Sequence, residues 1–215
     1  MSITAKYWKQ KNVPTGCHNI PLFRFIGQYG FNFKKKNILD VGCGGGADLI
    51  EFKRRGANAY GLDISIPVTN KLKKILGRSK IKQHEIKNKT IPFSVKFDLI
   101  YSIDFIYYLT KQEVDSHMRN AHKSLKKNGI FLFGLIEKDL LINKKLKKKY
   151  NFEKNYIKKT FKEKNNPINF YDTSFYKKNL KNNGFKIKGT KFFIESYGIN
   201  EKAVRINKYI LCTKN

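Results

Sequence analysis

The run Ile38-Leu39-Asp40-Val41-Gly42-Cys43-Gly44-Gly45-Gly46-Ala47-Asp48 decides how this chain folds. Asn37–Val41 reads as a short apolar strand. Gly42, Gly44 and Gly46 then fit G-x-G-x-G, and a helical pattern follows over 47–55, with Leu49, Ile50 and Phe52 apolar. Glycines in such a turn allow positive φ and let the backbone approach a ligand closely. Open sheets bind ligands outside the carboxyl ends of their strands, which is where this turn falls. Asp63, in Gly61-Leu62-Asp63 at the end of the next strand, lies close to the ~20-residue spacing at which a carboxylate accepts hydrogen bonds from both ribose hydroxyls. The loop departs from a dinucleotide fingerprint, reading G-C-G-G-G-A-D rather than G-x-G-x-x-G. Asp40, just before the turn, sits badly beside a pyrophosphate and suits a cationic ligand group. The competing reading is a tight turn with no ligand.

Working outward, strands and helices alternate. Strands are expected over 58–64, 80–86, 97–103 and 129–136. Ser65 can cap the second helix, with Pro67 in its first turn, and Thr110 with Glu113 forms a T-x-x-E capping box for a helix to about residue 125. The alternation predicts an α/β fold, an open parallel sheet with helices on both faces. Residues 1–36 form a polar, aromatic-studded lead, with a short helix expected over 22–29. Residues 139–172 are a lysine-dense insertion with interleaved Tyr150, Phe152, Tyr156 and Phe161. Beyond it, Thr173 can cap a helix to 182, and 185–194 with 203–213 read as a final antiparallel pair.

The 215 residues suit one domain with an appendage. A 40% apolar content excludes whole-chain disorder. No stretch approaches the ~20 apolar residues of a membrane span. The first residues hold Lys6, Lys9 and Lys11 around Tyr7 and Trp8, and without an apolar leader a cytoplasmic location is expected. Three scattered cysteines argue against a disulfide framework. The net charge of +29 is nearly all lysine, a flexible point charge less suited than arginine to reading bases. A solvated surface and an adenine- and thymine-rich coding composition account for it more simply than a nucleic-acid surface.

The quoted stretch resembles the first motif of the class I S-adenosylmethionine-dependent methyltransferases. Gly61 to Ser65 resembles their second, the segment 96–109 their fourth-strand motif, 125–137 their fifth-strand segment, and 179–187 the helix-turn entering the last strand pair. The resemblance implies a Rossmann-like sheet of seven strands, the last antiparallel, with residues 37–215 as the methyltransferase domain and 1–36 as a lead or lid. It implies that Asp40 and the turn of Gly42, Gly44 and Gly46 hold the methionine end of S-adenosyl-L-methionine. Asp63 would hold the ribose and Ile64 would pack on the adenine. Glu85 or Ile86 falls where an acidic–apolar pair lies beside the adenine, with Asn88 as a rival. Ser102 and Ile103 would line the methyl-facing wall.

For methyl transfer the protein mainly aligns donor and acceptor, which contributes roughly 7–11 kcal/mol, and only a weak nucleophile needs a base. Tyr108 and Asp104 are the candidates for that base. Each has a bland alternative, Tyr108 as packing and Asp104 as a turn residue. Tyr7 and Trp8 could form part of a lid or anchor the lead. No metal-ligand cluster is legible. The expected acceptor is a small or medium molecule, such as a sugar, lipid headgroup or metabolite, methylated on oxygen or nitrogen. The insertion suits an anionic, ring-bearing one. N-P-P-Y and Pro-Cys motifs of base methyltransferases are absent. An RNA methyltransferase is the second reading, and a non-catalytic partner that keeps the fold is the third.

Overall fold

A computed structural model describes residues 3–87, 90–136, 169, 171–197 and 203–214. The elements run α1 (Ile3–Lys9), α2 (Ile20–Gly27), β1 (Asn37–Val41), α3 (Ala47–Arg54), β2 (Asn58–Asp63), α4 (Ile66–Leu76), β3 (Ile81–Gln83), β4 (Phe97–Ser102), a 3-10 turn (Ile106–Tyr108) and α5 (Lys111–Ser124). After these come β5 (Leu125–Ile136), α6 (Thr173–Asn182), β6 (Phe185–Tyr197) and β7 (Ala203–Lys214). The sheet order is β3-β2-β1-β4-β5-β7-β6. β7 alone runs antiparallel, against both β5 and β6. The Rossmann-like α/β sheet of seven strands expected from the sequence is therefore present.

Period-two alternation sorts the strand side chains into two cores. Leu39, Val41, Phe131, Phe133 and Ile210 face α5 and α6, where they meet Val114, Met118, Tyr176 and Leu180. Ile38, Leu99, Tyr101, Leu132 and Leu211 face the other way, onto Leu22, Leu49, Phe52 and Leu72 of α2, α3 and α4. Asp40 is two residues on from Ile38 and so falls on this second face. β1 lies between β2 and β4, which brings the turns after all three strands together at one edge.

The caps follow the sequence. Ser65 Oγ accepts from the Val68 N–H at 3.2 Å, and the Thr110–Glu113 box is complete. Other boundaries moved. β3 is only three residues, paired with the end of β2 over Gly61–Asp63. β5 starts at Leu125 rather than 129, with Asn128 in the left-handed region at φ 60° and a register shift against β4 between Phe97 and Leu99. Asp172, not Thr173, holds the N-cap position of α6, and Thr173 Oγ1 instead accepts from Lys208 Nζ at 2.9 Å. α2 begins two residues early because Asn19 Oδ1 accepts from the Leu22 N–H at 2.9 Å. α1 was not expected. Most of the 139–172 insertion lies outside the described residues.

One ionic cluster ties the lead to this frame. Glu51 on α3 accepts from Arg54 Nε and Arg55 Nε, both at 2.7 Å, and the Arg55 guanidinium lies 4.7 Å from the Phe23 ring of α2. The hydrogen bonds from Arg54, then those from Arg55, hold the Glu51 pKa down to about 2 from its ordinary 4.5. Folding thus lowers the proton affinity. The stabilisation is complete above about pH 4.5 and disappears as pH falls toward 2. In urea melts, Glu51→Gln is expected to be less stable than the parent at pH 7 and to lose less stability between pH 5 and pH 2. Parallel curves for the two proteins would show that the cluster contributes nothing.

Candidate functional site

The turn after β1 is built to stay open. Gly42, Gly44 and Gly46 have φ of 82°, 47° and 77°. A Cβ on Gly46 would run into Leu72 of α4, and one on Gly42 into the Phe105 ring. The left-handed backbone and the missing side chains are therefore both required at these two positions. The turn is pinned from β2. The Gly42 and Cys43 N–H groups donate to the Leu62 carbonyl at 2.8 and 3.0 Å, and the Gly44 N–H donates to Asp63 Oδ2 at 2.8 Å. Asp63 Oδ1 accepts from the Ser65 N–H at 2.8 Å. Burial raises the Asp63 pKa, and the backbone N–H groups of Ser65, Gly44 and Ile64 draw it back down.

Beside the turn is a cavity of about 220 Å³. Its floor carries Asp40, Gly42, Cys43 and Gly46. Asp48, in the first turn of α3, and Tyr101, Ile103 and Asp104, at the end of β4 and just beyond, complete the walls. Pro14, Gly16, Cys17 and Asn19 of the lead close it from above. Among the described residues its charged lining is wholly acidic: Asp40, Asp48 and Asp104, with no lysine or arginine, in a chain that holds 45 of them. Asp40 is 5% exposed and accepts from Tyr101 Oη at 2.8 Å. Burial first, then the Asp48 charge, push its pKa well above the ordinary carboxylate value, while the Tyr101 hydroxyl opposes the rise. Asp48 Oδ1 accepts from the Asn19 N–H at 2.6 Å, and burial raises its pKa too. Asp104 is exposed at the rim and has φ 55°, a strained conformation for a residue with a side chain.

The lead is laid over this edge by polar contacts. Ser65 Oγ donates to the Lys11 carbonyl at 2.5 Å, and Thr15 Oγ1 donates to the Gly45 carbonyl at 2.7 Å. The Pro14 carbonyl occupies the space a Gly45 side chain would need. Asn19 Nδ2 reaches Tyr209 Oη on β7 at 2.8 Å.

The other sequence-predicted residues disperse around the cavity. Ile64 is half-buried beyond Asp63, its carbonyl accepting from Gln83 Nε2 at 3.1 Å. Glu85 pairs with Lys87 at 3.1 Å, and Ile86 packs on the core. Asn88 lies outside the described residues. Ser102 is fully buried and turns away from the cavity, 3.1 Å from His117 Nε2 of α5. Burial lowers the His117 pKa to about 3, so this pair is uncharged at neutral pH. Tyr108 is half-buried, edge-on to Trp8 with ring centroids 5.4 Å apart. Asp48 and Tyr101 were missed as site residues. Asp48 stood within the quoted stretch, and Tyr101 is on the face of β4 toward Asp40, a placement that needed the strand pairing. Among the described residues no group of side chains could hold a metal ion.

The methyltransferase-domain family model matches residues 13–188. Among curated proteins, the ubiquinone biosynthesis O-methyltransferase of Pelagibacter ubique is 28% identical over 109 residues, covering 50% of this chain and 45% of that one. The phosphoethanolamine N-methyltransferase of Plasmodium falciparum is 31% identical over 103 residues, covering 46% and 38%. The chain thus aligns with less than half the length of these relatives. Among solved structures, magnesium protoporphyrin IX methyltransferase from Synechocystis with bound SAH superposes at a TM-score of 0.61. It is 16% identical, with 91% of this chain and 80% of that chain covered.

Because the folded Asp40 pKa is raised, the native state binds its proton more tightly than the unfolded chain. This carboxylate therefore costs stability as pH rises from about 4 through the folded pKa. Asp40→Asn is expected to melt higher than the ligand-free parent at pH 8 and level with it below pH 4, by calorimetry. A lower melting temperature at pH 8 would show that Asp40 is not a strained charge.

Proposed function

The chain belongs to the methyltransferase-domain family of class I S-adenosylmethionine-dependent enzymes, and we propose that it transfers the methyl group of that cofactor to an oxygen or nitrogen of a small acceptor. The observation that carries this reading is the acidic cavity beside a side-chain-free turn. A buried carboxylate next to a second one favours a cationic partner. At about 220 Å³ the cavity is smaller than the ~300–1,000 Å³ of pockets that hold a whole drug-sized ligand. It fits the charged amino-acid end, with the nucleoside end toward Asp63 and Ile64.

Residue by residue, Asp40, Asp48 and Asp104 would set a negative field around the sulfonium and ammonium groups. Gly46 at the N-cap of α3 makes no side-chain cap bond, and the N–H groups of the first turn would meet the ligand carboxylate. Asp63 would hold the ribose. Glu85 and Ile86, past the end of β3, would flank the adenine. Bound S-adenosylmethionine supplies an activated methyl group, to which the acceptor's lone pair bonds as the carbon–sulfur pair leaves with sulfur and the acceptor gives up a proton. Asp104 at the rim, and Tyr108 four residues on, would take that proton when the acceptor is a hydroxyl. Residues 1–36 would act as the lid and 37–215 as the catalytic domain. The Asn169 N–H donates to the Tyr107 carbonyl at 2.7 Å, so the insertion rejoins the fold beside the acceptor side.

Relatives that methylate oxygen and nitrogen both support a small acceptor of either kind. Calorimetric titration with S-adenosylmethionine tests the cofactor. Asp63→Ala is expected to weaken binding by removing charge-assisted hydrogen bonds worth roughly 1.5–3 kcal/mol. An unchanged affinity would remove Asp63 from the site, and no binding by the parent would end the enzyme reading.

A further inference from the structure

Tyr101 and Asp40 are direct partners across β4 and β1, so their side chains leave the sheet on the same face. Tyr101 Oη donates to Asp40 Oδ2 at 2.8 Å, and both buried residues line the acidic cavity. The Tyr101 ring rests against Phe52 of α3, with centroids 5.4 Å apart. Asp48 lies four residues before Phe52 on the same helix, and so on the same helical face, and it lines the cavity too. Packing asks only for the ring, since a phenylalanine would fill the same space. The hydroxyl adds a donor at the point where a buried carboxylate faces the cavity.

The charges around Asp40 all act against its ionisation. Asp48 from α3 and Asp63 from β2 both favour a proton on it. Burial, then the Asp63 charge, keeps the Cys43 thiol of the turn protonated. His18 of the lead acts on Asp48 instead, and Asp104 stands at the rim. A neutral Asp40 would have little attraction for a cation. Tyr101 works the other way, because a hydroxyl that donates to a carboxylate stabilises its charged form. Burial, then the Asp40 charge, holds the Tyr101 pKa well above its ordinary 10, so the hydroxyl remains a donor at neutral pH.

We propose that Tyr101 is a positioning residue for the cofactor, its hydroxyl holding the Asp40 carboxylate charged and oriented for the cationic end of S-adenosylmethionine. This rests on the methyl-transfer reading above and deepens it. Tyr101 acts through Asp40, so its removal changes when Asp40 is available rather than what Asp40 does. Cofactor affinity accordingly rises with pH as Asp40 ionises.

Two measurements on the full chain test this. In the ligand-free protein, carbon-13 NMR of labelled aspartate carboxyls follows the Asp40 titration, identified by its loss in Asp40→Asn. In Tyr101→Phe that titration is expected at higher pH than in the parent. Calorimetry between pH 5.5 and 7.5 stays below the range where an α-amino group loses its proton. There the parent is expected to bind S-adenosylmethionine more tightly as pH rises. Tyr101→Phe is expected to bind about ten-fold more weakly at the low end, the loss of one hydrogen bond to a charged group, with the deficit narrowing as pH rises. In the Asp40→Asn background, Tyr101→Phe is expected to change the affinity little. An Asp40 titration that stays in place overturns the proposal and leaves Tyr101 as packing. So does a deficit that is equal at every pH and undiminished in the Asp40→Asn background. A displaced Asp40 titration in a protein that takes up no S-adenosylmethionine strikes the methyl-transfer reading, and the cofactor role of Tyr101 with it.

Discussion

The arrangement depends on a carboxylate that the fold would rather not contain. Asp40 is buried near the end of β1, beside Asp48 and hydrogen-bonded by the Tyr101 hydroxyl. Burying a charge without a partner is costly unless a proton or a ligand neutralises it. The chain has a large surplus of cations, yet none of its lysines or arginines is placed there among the described residues. Where the same fold does want a paired carboxylate, it provides one: Glu51 is gripped by two arginines. Glu51 is neutralised by its own neighbours, whereas Asp40 is left facing the cavity with the Tyr101 hydroxyl as its hydrogen-bond donor.

Sheet topology puts Asp40 there. With β1 between β2 and β4, the turns after the three strands meet at one edge, and a carboxylate from each neighbourhood arrives without any strand being distorted. The lead then crosses the same edge and is fixed by single hydrogen bonds to Gly45, Ser65 and Asp48. Each is a modest contribution of about 0.5–1.5 kcal/mol. Asn19 Nδ2 and the buried side chains of α2 anchor the lead further along, so these bonds fix its path over the cavity.

What the sequence made legible follows from range. The 42–46 turn, the Ser65 cap and the Thr110–Glu113 box are local devices whose partners lie within a few residues, and all are found where they were read. The placement of Asp40 and Asp63 at strand ends beside the glycine turn was legible because strand ends and glycine turns are local too. Tyr101 was not, because its bond to Asp40 spans 61 positions in the chain and exists only once β1 and β4 pair. Ser102 was assigned to the wall on its place in the motif, but strand alternation turns it to the α5 face, where it meets His117. The closure by Pro14 and Asn19 was equally hidden, since a polar lead with no periodicity gives no sign of what it covers.

Net charge is the property most easily misread in this molecule. A value of +29 invites a nucleic-acid partner, yet the field that matters to a bound cofactor is set within a few ångströms, where the dielectric is low and screening is weak. There the sign is reversed. Lysines on the outside are hydrated and screened beyond about 8 Å at physiological salt, while Asp40 and Asp48 act from within the wall itself. The two signs therefore work at different ranges. The exterior potential is that of a lysine-covered surface, and the cavity potential is that of buried carboxylates.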